Sequence, residues 1–373
     1  MTQRERQILR WIEENPMISQ QELAEKAGIT RSSVAVHISN LMKKGFIAGK
    51  GYVLRSGTYV VVVGGVNMDI GGKSFASMIP GDSNPGTVTM SVGGVGRNIA
   101  HNISLLGMDA RMLSAVGADL YGEKIAATCT ACGLDFSRVR TVPGASTSTY
   151  VYLGGPDGDM ALAVSDMEVC NEISPSYLEK NLTLLNGAQL VVVDANIPQE
   201  SIEFLAEHVT PPLFADPVSV TKAKKFQGVL GKLHTLKPNR LEAELLSGIA
   251  IHNDDDLRRA ARALLDTGLH RVFISLGTQG VLAADHNEML ELPCYPVRVN
   301  NATGAGDAFV AGLVWAYLQG SDLRKSTMAG SAASSISIEG TETINEALSE
   351  EAHPWPWSPA RRWVRPPESA WAQ

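Results

Sequence analysis

The sequence predicts a doubly wound, mostly parallel α/β sheet with a small β lid, preceded by a small three-helix domain. Three observations predict it. Apolar, β-branched runs recur with helical patterns between them, two Gly-, Ser- and Thr-rich stretches interrupt that alternation, and the first 57 residues differ in charge from the rest. The chain has 373 residues, 44% of them hydrophobic, so its length suggests about two domains and its composition supplies a core. Residues 1–57 hold nine Lys or Arg against five Glu, a balance of +4 within a total of −7, which leaves −11 for the remainder. A basic head on an acidic body suggests one part that meets a polyanion and one that does not, unless the basic residues form only a solvated face.

The head follows from local signals. Ile8, Leu9 and Ile12 at helical spacing predict a helix over residues 4–14 that stops before Pro16. Ser19 with Glu22 forms a capping box that opens a second helix over 20–27. Gly28 supplies a tight turn, Thr30 caps a third helix with Val34, Ile38 and Leu41 as its buried stripe, and Gly45 ends it. Residues 46–48 and 52–54, joined around Gly49-Lys50-Gly51, read as a two-stranded wing. Over residues 2–55 this order resembles the winged helix-turn-helix domains of bacterial transcription regulators. The resemblance implies double-stranded DNA as a partner of residues 1–57. Arg31, Ser32, Ser33 and His37 would face base edges, and Lys43, Lys44 and Lys50 would sit near phosphates. Retention of the fold for dimerisation or autoinhibition is the alternative.

In the body, residues 59–64 form a continuous β-branched run, the pattern of a strand buried on both faces. Similar runs recur at 190–193, 212–215, 234–236 and 271–276, separated by helical patterns at 201–208, 239–246 and 254–267. Such alternation at long spacing predicts the doubly wound sheet. Residues 69–91 and 146–164 break it and read as lid strands over the sheet's carboxyl edge. An uncovered lid edge, with a head of a type that acts in pairs, makes a homodimer the expected assembly. No apolar run approaches the ~20 residues of a spanning helix, so no membrane partner is expected. Arg4, Glu5, Arg6 and Arg10 leave no apolar stretch for a signal peptide, and four cysteines make no disulfide framework, so a cytoplasmic location is expected.

Several motifs are excluded. Gly72-Lys73-Ser74 has the tail of a phosphate-binding P-loop, but Asn67 stands where its first glycine belongs. His270-Arg271 continues into Val272, which is no protein-kinase catalytic loop. Cys129 and Cys132 are a single pair among apolar neighbours, a buried helix rather than a zinc site. Two glycine-rich segments remain. Gly93-Gly94-Val95-Gly96-Arg97-Asn98-Ile99-Ala100 lets backbone amides approach a ligand ahead of a helix. Asn301-Ala302-Thr303-Gly304-Ala305-Gly306-Asp307 runs into an apolar helix, so its amides form a nest for a transferring phosphoryl group beside a carboxylate able to take a proton.

With Gly107 and Gly117 following the first segment, the two together resemble the signatures of the ribokinase-like (PfkB) carbohydrate kinases over residues 58–348. Only Ala302 departs, where Thr or Val is usual. The resemblance implies Asp307 as catalytic base and the amides of Gly304, Ala305 and Gly306 as anion hole. It implies Asn239 and Glu242 as the element that places Mg²⁺, through water, and the phosphates of ATP, with Gly277 and Gly280 in the nucleotide loop. Asn67, Asp69, Gly94 and Asn98 would hold sugar hydroxyls, and Asn301 and Thr303 would lie where K⁺ often binds.

Within that family the chain resembles the pseudouridine kinases, through residues 82–86, 93–100 and 235–242 and through Asp166, so the expected reaction is phosphorylation of a nucleoside 5′-hydroxyl. Asp82 and Asn84 either pair with the polar edge of the base or close an Asx-turn before Pro85. Arg97 either reaches the substrate or anchors its loop to a neighbouring carboxylate. Ribose, an N-nucleoside such as uridine or inosine, and a nucleoside-sensing regulator that has lost activity are the alternatives; an intact 304–307 segment and Glu242 argue against the last. The expected organisation is a head at 1–57, a kinase domain with its lid at 58–352, and a Trp- and Pro-rich tail at 353–373 without an assigned role.

Overall fold

The computed structural model describes residues 1–47, 59–156 and 160–349. The expected wing from Ala48 onward, with Lys50 in it, and the 353–373 tail lie outside the described residues. The head comprises α1 (Gln3–Glu14), α2 (Gln20–Ala27) and α3 (Arg31–Lys43). Ile8, Leu9, Ile12, Leu23, Val34, Ile38 and Leu41 interlock as its core. The Ser19–Glu22 capping box is present, a second one at Thr2 and Glu5 opens α1, and Gly28 takes φ +62.

The body is built on an eight-stranded sheet. Its strands are β1 (Tyr59–Val63), β4 (Asp109–Leu113), β9 (Leu190–Asp194), β10 (Leu213–Asp216), β11 (Thr235–Leu236), β12 (Arg271–Ser275), β13 (Val281–Asp285) and β14 (Met289–Leu292). They lie in the order β14-β13-β12-β11-β10-β9-β1-β4, parallel from β4 to β12, with the last two antiparallel. Because side chains alternate, Val60 and Val62 enter one apolar layer while Val61 and Val63 enter the other, which explains the continuous valine run. Two short strands, β5 (Ala115–Gly117) and β6 (Arg140–Val142), pair separately. The lid is a four-stranded sheet of β3 (Gly86–Gly93), β2 (Asn67–Ser74), β7 (Thr149–Gly154) and β8 (Met160–Asp166). Gly72-Lys73-Ser74 is part of lid strand β2. Cys129 is buried on α5 (Leu120–Ala131).

The head docks on the sheet's β4 edge through charge. Arg10 reaches Asp109 at 3.4 Å and Asp135 at 3.3 Å; Arg111 pairs with Glu13 of the head and with Asp109 at 3.1 Å, its guanidinium stacked over Tyr59. Arg6 donates to Ser104 Oγ at 3.2 Å on α4 (Val95–Leu105). This interface is carried by α1, so it does not use Arg31, Ser32 or Lys43, which stay exposed on α3.

Candidate active site

Three carboxylates and one ammonium gather at the carboxyl edge of the sheet, where the strands stop and their connections begin. Strands β9 and β10 end in Asp194 and Asp216, and Lys237 follows β11; all three are buried. Asp194 ties the glycine-rich segment down. Its Oδ2 accepts from the amides of Gly65 at 2.9 Å and Gly96 at 2.7 Å, and its Oδ1 from Asn196 at 2.8 Å. Gly94 takes φ +99, and a Cβ there would lie 2.6 Å from the carbonyl oxygen of Gly65, so only glycine lets the loop pass that close.

Asp307 occupies the first turn of the helix Ala305–Leu318 and is buried. Its Oδ2 accepts from the Asn98 amide at 2.9 Å, which joins the two glycine-rich segments. Burial pushes the Asp307 carboxyl up to about 8, the neighbouring Asp216 carboxylate adding to it, while Asn98 and Lys237 oppose. The helix's first backbone bond runs from Ala308 N–H to Gly304 O, so the amides ahead of it lie at the helix end, where Ala305 N–H is turned to Ala302 O at a long 3.4 Å. Lys237 stands beside them: a Cβ on Gly306 would lie 3.1 Å from its Nζ, which itself is 3.7 Å from Asp216. Amides and an ammonium converging on one point suit the charge that develops in phosphoryl transfer.

Gly304 has φ +84, and a Cβ there would meet the carbonyl oxygen of Thr343 at 2.5 Å. Gly304→Ala therefore has to move the nest. Its kcat is expected to fall about a hundredfold, as for a displacement of about 1 Å, and its Tm to fall by several degrees from the strained backbone and the clash; steady-state kinetics alongside a thermal melt checks this.

Asn239 and Glu242 form a reciprocal capping box on the helix Arg240–Ser247, with Glu242 Oε2 accepting from Asn239 N–H at 2.8 Å and Asn239 Oδ1 from Glu242 N–H at 2.9 Å. Burial raises the Glu242 carboxyl, and Asp216 is close enough to add to that. Among the described residues no group of three or more His, Cys, Asp or Glu could hold a metal ion. The second oxygen of Glu242 and nearby Asp216 nonetheless suit a hard divalent ion that keeps phosphate and water ligands. Gly277 and Gly280 flank the turn between β12 and β13, at φ +59 and +102. Asn301 holds its own loop, accepting from Thr303 N–H at 2.9 Å and donating to Thr341 O at 3.2 Å.

At the lid, Asn67 donates to Asp69 at 2.6 Å, and burial raises the Asp69 carboxyl. Asn84 spends its side chain on the loop, accepting from Ile79 N–H at 2.8 Å and donating to Ile79 O and Asp82 O; Asp82 accepts from Ser83 N–H. None of these bonds is the expected Asx-turn, because Asp82 accepts from the very next residue and Asn84 reaches back five residues to Ile79. Asp166 ends β8 and accepts from Glu168 N–H at 3.2 Å. Arg97 is buried and donates to Val92 O and Asn98 Oδ1, so a carbonyl and an amide hold it among the described residues, not the carboxylate expected as its loop anchor. In the head, Lys44 is paired with buried Glu5 at 2.8 Å, so its ammonium is already engaged, while Thr30 caps α3 by accepting from Ser33 N–H.

Asp194, Asp216 and Lys237 had no role in the sequence reading. Their signal is a charged residue closing an apolar strand run, as in Leu190-Val191-Val192-Val193-Asp194, since only the carboxyl end of such a strand leaves the core.

Residues 57–350 match the pfkB family of carbohydrate kinases, and residues 1–48 match a winged helix-turn-helix DNA-binding family. The chain is 39% identical to the uncharacterized sugar kinase YeiI of Escherichia coli, covering 94% of this chain and 98% of that one. It is 38% identical to a pseudouridine kinase of the same organism, covering 79% and 95%. Among solved structures, a carbohydrate kinase from Agrobacterium tumefaciens superimposes with TM-score 0.69 at 27% identity, over 79% of this chain and 95% of that one. A ribokinase of Arabidopsis thaliana complexed with ribose and ATP superimposes with TM-score 0.72 at 22% identity, over 79% and 97%, a likeness of fold.

Proposed function

Because the chain belongs to the pfkB family of carbohydrate kinases, we propose that it moves the γ-phosphoryl group of ATP to the 5′-hydroxyl of a nucleoside, pseudouridine first. At the coarser level it is a sugar or nucleoside kinase, hence a phosphotransferase. The observation that carries the reading is the Asn98–Asp307 contact, which sets a carboxylate beside the amide nest and Lys237. Asp307 takes the hydroxyl proton as the oxygen–phosphorus bond forms; the bond to the β-phosphate oxygen breaks and ADP leaves. The Gly304–Gly306 amides and Lys237 hold the transferring group's charge. Glu242 and Asp216 are the residues that would hold Mg²⁺ through water, and the ion would supply screening of the phosphate charge. K⁺ beside Asn301 and Thr303 belongs to the same proposal.

Identity to a pseudouridine kinase supports the acceptor, with Asn67, Asp69 and Gly94 on the sugar and Asp82, Asn84 and Asp166 nearer the base. Mg·ATP turnover against pseudouridine, uridine, inosine, cytidine and ribose, with product followed by mass, tests it. A tenfold lead of pseudouridine in kcat/KM is expected. A lead for another acceptor corrects the substrate, and binding without turnover makes the protein a sensor.

Exposed Arg31, Ser32 and Lys43, the half-exposed Ser33 and His37, and the family match support DNA binding by the head. Binding should weaken steeply with salt, and Arg31→Ala should relax sequence preference. Exposed Val88, Met90, Leu162 and Val164 on the lid support a homodimer.

A further inference from the structure

We propose that Arg97 is a positioning residue for the catalytic base: it fixes which end of the Asn98 amide faces Asp307. The inference rests on the phosphotransfer reading above and goes beyond it. Arg97 Nη1 donates to Val92 O at 2.9 Å and to Asn98 Oδ1 at 3.1 Å, and Asn98 Nδ2 donates to Asp307 Oδ2 at 2.9 Å. All three residues are buried. A primary amide presents nearly the same shape whichever way it is turned, so its orientation is set by its partners. A guanidinium has only donors, so Arg97 can be met only by the Asn98 oxygen. The NH₂ group is then left for Asp307, where it stabilises the ionised carboxylate and leaves Oδ1 to receive the acceptor's proton.

Without Arg97 the amide can turn. Its oxygen would then face Asp307 and accept from the protonated carboxyl, holding the base in the form that cannot work. The surroundings make that form easy to reach, because burial, Asp216 and Asp194 all favour the neutral acid and only Asn98 and Lys237 oppose. Arg97 makes no ion pair with a carboxylate among the described residues, and its Nε has no hydrogen-bond partner. Through space its charge pulls the Asp69 carboxyl down, but a buried arginine with no carboxylate in contact is costly to keep, and orienting the amide is a use that a hydrophobic residue of the same volume could not perform.

The test compares Arg97→Met and Arg97→Lys with the wild type. For Arg97→Met, kcat should fall tenfold or more with KM for ATP and acceptor within about threefold, and the acid limb of kcat/KM should move up by about one pH unit. Arg97→Lys keeps one donor and should recover part of both. A rise in acceptor KM at unchanged kcat makes Arg97 a substrate contact and overturns the proposal. So does an acid limb that stays in place. A second readout does not depend on turnover: the infrared band of the protonated Asp307 carboxyl, assigned by its loss in Asp307→Asn, should titrate at higher pH in Arg97→Met. If the wild type phosphorylates nothing, the kinase reading fails; if that band's titration does not move, the role of Arg97 fails. Where Arg97→Met does not fold, Arg97→Lys carries the same comparison.

Discussion

Asp307→Asn is expected to lower kcat about a thousandfold while the protein folds and binds ATP as before, because a positioned general base contributes about 10²–10⁴ to rate. The substitution keeps the volume, and the amide oxygen placed there still accepts from Asn98, so the two glycine-rich segments stay joined. What is lost is the basic lone pair that takes the hydroxyl proton. Kinetics, nucleotide titration calorimetry and a thermal melt together check this; a variant holding a tenth of wild-type kcat removes Asp307 from the role. The wild-type pH profile tests the same group. With its carboxyl raised from 3.8 to about 8, kcat/KM should climb tenfold per pH unit up to about pH 8 and then level. Stability runs the other way. The folded protein binds a proton that the unfolded chain has released, so the wild type loses stability as pH rises from about 4 to about 8. Asp307→Asn has no such proton, and its advantage in Tm should widen across that window and stay constant above it.

Much of the fold could be read from local patterns, and the failures have one physical origin. In the head, capping signals and an apolar stripe place α2 without error and α3 within its caps, because those signals lie within a few residues of the helix they serve. The valine-rich strands are legible for the same reason: burial on both faces leaves a continuous apolar run. Strand β4 is not legible. It carries Asp109 and Arg111, which would mark a solvent-facing segment, yet both are buried under α1 by Arg10 and Glu13, residues about a hundred positions away. The antiparallel pair β13–β14 is not legible either, because β14 is only four residues long and alternates buried with exposed positions instead of forming a continuous apolar run. At the site, Asp307 and the glycines were visible because their roles are local. The Asn98–Asp307 contact spans 209 residues, and the Asp194 bonds span 129 and 98, so only the folded chain reveals them.

Asp194→Ala should be the most damaging single change at the sheet's carboxyl edge outside the catalytic carboxylate itself. Its two oxygens satisfy the amides of Gly65, Gly96 and Asn196, and all three lose their acceptor when this fully buried side chain is cut back to Ala. Each amide left unpaired costs about 1–3 kcal/mol, so a loss of about 3–9 kcal/mol is expected. For a domain of this size that is a fall in Tm of roughly 10 °C or more. The loss is also functional. Gly64 and Gly96 pack against this carboxylate, so the turn that carries Gly94 and starts α4 is held in place by it. KM for the acceptor should therefore rise while KM for ATP, whose proposed loop is at Gly277 and Gly280, stays within about twofold. Asp194→Asn separates hydrogen bonding from volume. Its one oxygen can still bridge Gly65 and Gly96, but its NH₂ must face the Asn196 amide, donor against donor. The expected order of stability is wild type, then Asn, then Ala. Melts that agree within 1 °C for all three, with acceptor KM unchanged, would show that the loop is held by its glycines alone.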